Sequence, residues 1–101
     1  MNIALEKNFE IKMVEVYRNA MKEVNYPAKI FLGMVGEFSG VETAKKLLSK
    51  KDDTTGFVAL AYEKKRPDLT MEHLIYYNED YHSLFTNEEI AICKERLIIK
   101  N

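Results

Sequence analysis

Residues 4–24 read ALEKNFEIKMVEVYRNAMKEV, and the spacing within this stretch decides the fold. Phe9, Met13, Val16, Tyr17, Ala20 and Val24 recur every three or four positions, with Glu10, Lys12, Arg18 and Lys22 largely on the other side. That period predicts an amphipathic helix over about Ala4 to Val24, with one face in a shared core. Asn25-Tyr26-Pro27 ends it. Pro27 suits the first turn of a second helix, where its missing N–H costs nothing.

Working outward, AKIFLGMVGEF follows. Ile30, Phe31, Met34, Val35 and Phe38 make a broad apolar face, so this second helix is expected to be the most buried. Gly33 and Gly36 cost helix stability, and close approach by a neighbouring helix is the expected return. Ser39-Gly40 breaks the chain. Val41, Ala44, Leu47 and Leu48 mark a third helix, with Lys45, Lys46, Lys50 and Lys51 in solvent. Asp52-Asp53-Thr54-Thr55-Gly56 reads as a turn with N-cap candidates. A short fourth helix through Phe57, Leu60 and Ala61 stops before Pro67. Thr70 caps a fifth helix carrying Met71, Leu74 and Ile75, and Asn78-Glu79-Asp80 is loop. The last helix has the clearest start: Thr86 and Glu89 form a capping box, flanked by the Phe85/Ile90 staple, and Ile90, Cys93 and Leu97 continue its buried stripe.

The whole chain fits one all-α domain over residues 1–101, a compact orthogonal bundle of five to six short helices. Its 101 residues, 47% hydrophobic and 31% charged, suffice for one core, and 4 Gly with 2 Pro favour helices over a turn-rich β fold. The net charge of −1 gives no overall pull toward nucleic acid or anionic lipid. Charge is unevenly placed, however: residues 41–66 are basic and residues 67–101 acidic. Cys93 is the lone cysteine, which excludes an intrachain disulfide and favours a reducing compartment. With no signal-like apolar run and no stretch long enough for a membrane span, the expectation is a cytoplasmic protein without a membrane partner.

No motif carries recognisable catalytic chemistry, so no enzyme activity, cofactor or metal is expected. His73 and His82 lack the convergent ligand spacing of a zinc site. Gly33-Met34-Val35-Gly36 matches a GxxG nucleic-acid clamp by letters, but its apolar middle suits helix packing better. Two surfaces remain. Lys45, Lys46, Lys50, Lys51, Lys64, Lys65 and Arg66 form a basic cluster around a helix start, a candidate for nucleic acid or another phosphate-bearing ligand. Tyr76, Tyr77 and Tyr81 lie within six residues, and tyrosine is enriched in protein interfaces, so this segment is the candidate for a protein partner.

Beyond these local readings, a longer pattern runs through the chain. It comprises Val16-Tyr17-Arg18, Tyr26-Pro27 with Phe31-Leu32, Gly40-Val41-Glu42-Thr43-Ala44-Lys45, Gly56-Phe57 with Leu60, Arg66-Pro67-Asp68-Leu69-Thr70-Met71-Glu72, and Leu84-Phe85-Thr86-Asn87-Glu88-Glu89. In this it resembles a family of small bacterial and phage proteins and domains of unknown function. The resemblance implies a prokaryotic or phage source and an accessory role. The motif's polar members, Arg66, Asp68, Thr70 and Glu72, are either a functional cluster or a loop-and-cap device, and caps alone account for these residue types. The function expected from these observations is a non-catalytic helical interaction module that binds another protein, with nucleic-acid or phosphate binding through residues 45–66 as the alternative.

Overall fold

Asn2 starts the long helix α1 (Ile3–Val24) by accepting a hydrogen bond from the Leu5 N–H at 3.0 Å. Asn25 ends it in a left-handed conformation, φ 54°. The computed structural model describes residues 2–50 and 55–98, so Lys51 of the expected third helix and Asp52, Asp53 and Thr54 of the expected turn lie outside the described residues. The other helices are α2 (Lys29–Phe38), α3 (Gly40–Ser49), α4 (Thr55–Val58), α5 (Met71–Tyr76) and α6 (Asn87–Leu97). Helix α4 runs straight into a π-helical turn, Ala59–Glu63, and 3-10 turns at Pro67–Leu69 and Glu79–Leu84 flank α5. There is no strand among the described residues. With a radius of gyration of 12.6 Å, the molecule is a compact all-α bundle.

The α1 stripe does what its period demands. Phe9, Met13 and Ala20 are fully buried, and the Phe9 ring meets Tyr81 and Phe85 edge-on at 5.1 and 5.4 Å. Val35, Ala44, Leu48, Met71, Ile75 and Cys93 complete this core, while Ala20, Leu60 and Leu69 form a smaller cluster under Tyr26. Helix α6 begins with the expected capping box: Thr86 Oγ1 accepts from the Glu89 N–H at 3.1 Å, and Glu89 Oε1 accepts from the Thr86 N–H at 2.8 Å.

Several expectations fail, each for a physical reason. Helix α2 is not the most buried helix: only Val35 is buried, and Ile30 is 83% exposed. Its sequence is apolar nearly all round, but only one face meets α1 and α3. Gly33 and Gly36 receive no neighbouring helix, since a methyl group on either would meet nothing within 4 Å. The glycine that does permit close approach is Gly40, where a methyl group would lie 2.7 Å from Glu10 Cα. There the first turn of α3 crosses the backbone of α1, and the Gly40 N–H donates to Glu10 Oε1 at 2.9 Å. Pro27 lies ahead of the α2 N-cap, Ala28, rather than inside its first turn. The Glu79-Asp80 segment is not loop but the start of a 3-10 turn, held to α5 by His82, whose Nε2 lies 3.1 Å from the carbonyl oxygens of both Ile75 and Tyr76.

Candidate functional site

The elements leave an apolar gap beside α2. Helices α1, α2, α4 and α5 surround a cavity of about 520 Å³, walled by apolar side chains that include Val16, Phe31, Met34, Phe57 and Leu60. Lys29 and Ile30 lie at its edge on the exposed side of α2, and Glu72 and Arg96 line it from α5 and α6. A closed void of this size would cost roughly 12 kcal/mol at about 24 cal/mol per Å³. That rivals the whole stability of an ordinary domain. The cavity is therefore an open, solvent-reached cleft, and covering its apolar walls is favourable.

Glu72 and Arg96 form the buried polar contact of this cleft. Arg96 Nη1 donates to Glu72 Oε2 at 2.8 Å, with both side chains largely buried. Arg96 Nη2 also donates to the Leu47 and Lys50 carbonyls at 3.3 Å, tying the end of α3 to α6. Burial pushes the Glu72 carboxyl above its ordinary value, and the Arg96 guanidinium only partly offsets this. Beside them, burial and the Glu72 charge push the Cys93 thiol up to about 12, far from thiolate reactivity at neutral pH.

The basic cluster does not form one free surface. Lys45 Nζ sits 2.8 Å from Glu89 Oε1 and 5.3 Å above the Phe85 ring. Burial raises the Glu89 carboxyl, but the hydrogen bonds from Lys45 and from the Thr86 backbone together outweigh it and hold the group below its ordinary value. Arg66 grips Asp68 with Nε and Nη2, both at 3.0 Å, and reaches Glu23 at 3.7 Å. Lys46 lies 4.7 Å from the centre of the Phe38 ring, while Lys50, Lys64 and Lys65 point to solvent and Lys51 lies outside the described residues.

The tyrosines also separate. Tyr81 is a core residue, 6% exposed, whose hydroxyl donates to Asn8 Oδ1. Its ring fills the space beside Phe9, which removes it from any exposed surface. Tyr76 is half-buried, and only Tyr77 is largely open, at 62%, its ring packed against His73 and Tyr76.

The Arg66–Glu72 motif divides in the same way. Arg66 and Asp68 pair with each other at the surface. Thr70 caps α5 by accepting from the His73 N–H at 3.2 Å and donates to the Pro67 carbonyl at 2.7 Å. Thr70 and Glu72 line the cleft, and Arg66 and Asp68 lie away from it. Among the described residues, no group of three or more His, Cys, Asp or Glu side chains converges as metal ligands, and no helix is long and apolar enough to cross a membrane.

Sequence reasoning missed the cleft because it placed Ile30, Phe31 and Met34 in the core. A usable signal existed in the charges. Glu72 stands three residues before Ile75, and Arg96 three after Cys93, so each puts a charge on the buried side of its helix, where it needs a partner. No family model, no curated protein and no solved structure matches the chain.

Proposed function

We propose that the protein is a non-catalytic interaction module that receives an apolar segment of another protein in the cleft between α1, α2 and α4. The observation that carries this reading is the 520 Å³ apolar cleft opening beside the exposed Ile30. Its volume and apolar lining are those of a recognition site. Covering it would gain what folding alone leaves ungained. Docking at the cleft takes the place of docking at the tyrosine segment, because Tyr81 is core. It is favoured over nucleic-acid binding because Lys45 and Arg66 already have acidic partners. A bacterial or phage source and a cytoplasmic setting belong to the same proposal, supported by the sequence pattern and by the single, buried Cys93.

Photo-crosslinking tests it. Ile30 or Tyr77 is replaced by p-benzoylphenylalanine, and the protein is irradiated in cells of its source. A discrete protein adduct from position 30, absent from position 77 and lost in Val16→Phe, is the expected result. Adducts from position 77 alone would return the interface to the tyrosine segment. Salt-sensitive binding to random-sequence DNA or RNA, with no adduct from position 30, would support the basic residues instead.

A further inference from the structure

The cleft is electrically asymmetric, and we infer from this that it takes an amphipathic helix carrying an acidic residue beside its apolar anchors, an inference that rests on the docking reading above. Among the described residues, three charged side chains line the cleft: Lys29, Glu72 and Arg96. Glu72 and Arg96 neutralise each other at 2.8 Å, so the Lys29 ammonium is the charge left over. Lys29 is exposed, has no ion pair among the described residues, and shares the first turn of α2 with no acid. No side chain caps that turn either, so the helix dipole adds to the positive character there instead of being cancelled. An incoming carboxylate meets a cation that has no acidic partner among the described residues, whereas an incoming Lys or Arg meets like charge.

The form of the occupant follows from the fold. With no strand among the described residues, an extended segment has no sheet edge to pair with, and its backbone groups would enter an apolar cleft unsatisfied. A helix satisfies its own backbone and presents apolar side chains at i, i+3 or i+4, and i+7 on one face. A cleft of about 520 Å³ has room for several such side chains, whereas one would leave much of it empty.

The test is a selection. A displayed library of amphipathic helices, with fixed apolar positions and Glu or Lys varied at the flanking positions, is panned on the full chain and on Lys29→Glu. Lys29 is exposed, so the variant should keep the fold. The wild-type chain should enrich Glu beside the anchors, and Lys29→Glu should reverse the preference to Lys. A Glu-bearing winner should bind Lys29→Glu about threefold to tenfold more weakly than wild type, the difference shrinking as salt is added. Helices that lose binding in Val16→Phe but show one charge pattern on both proteins would overturn the acidic partner and leave cleft docking intact. Helices that bind Val16→Phe as well as wild type, or no enrichment at all, would overturn both.

Discussion

Glu72 and Arg96 meet where the core gives way to the cleft, and each would be costly there without the other. A buried ion pair adds little net stability over apolar residues of the same shape, yet losing one partner leaves an uncompensated charge. Arg96→Met should therefore cost about 3–5 kcal/mol in urea unfolding. Adding Glu72→Met to that variant should recover much of the loss, because the orphaned carboxylate goes too. A loss in the double variant equal to the sum of the losses from Arg96→Met and Glu72→Met alone would mean that the two side chains are not energetically coupled. The same contact also shows why Cys93 is inert: it shares the buried environment that raises the Glu72 carboxyl, and the Glu72 charge opposes a thiolate beside it.

At the scale of elements, glycines separate what was legible from what was not. Gly40 permits the α1–α3 crossing, while Gly33 faces open space. Gly40→Ala should destabilise by about 1–3 kcal/mol, as overpacking does, and Gly33→Ala should stabilise by about 0.5–1 kcal/mol through helix propensity. Thermal or chemical unfolding of the two variants checks the opposite signs, and a loss at Gly33 would mean that something packs there. Local chemistry was legible in the sequence: the α1 stripe, the Thr86–Glu89 box and the Thr70 cap each depend on residues within a few positions of one another. What decides the burial of α2 is how many neighbours arrive, which depends on contacts distant in the chain. An all-round apolar helix reads as core whether its partner belongs to the same chain or to another. For the same reason Tyr76, Tyr77 and Tyr81, alike in sequence, end up half-buried, exposed and in the core. Lys45 reads as solvated until Glu89, 44 positions away, reaches its ammonium.

For the molecule as a whole, the core lies along the α1 stripe from Phe9 to Met13, with Val35, Leu48, Ile75 and Phe85 around it, and the cleft opens farther along the same helix at Val16. One amphipathic helix thus supplies both the buried interior and one wall of the cleft. A partner that binds the folded chain through the cleft would also raise its stability by mass action. The central claim, that the space beside Val16 is open in the isolated chain and filled by a partner, is tested most directly by the stability of Val16→Phe measured alongside its crosslinking from position 30. The account predicts unfolding stability equal to or above wild type, because the larger ring covers apolar wall, together with loss of the crosslinked partner. A loss of about 1–3 kcal/mol, the response of an already filled core to a larger side chain, with the partner still crosslinked, would contradict it.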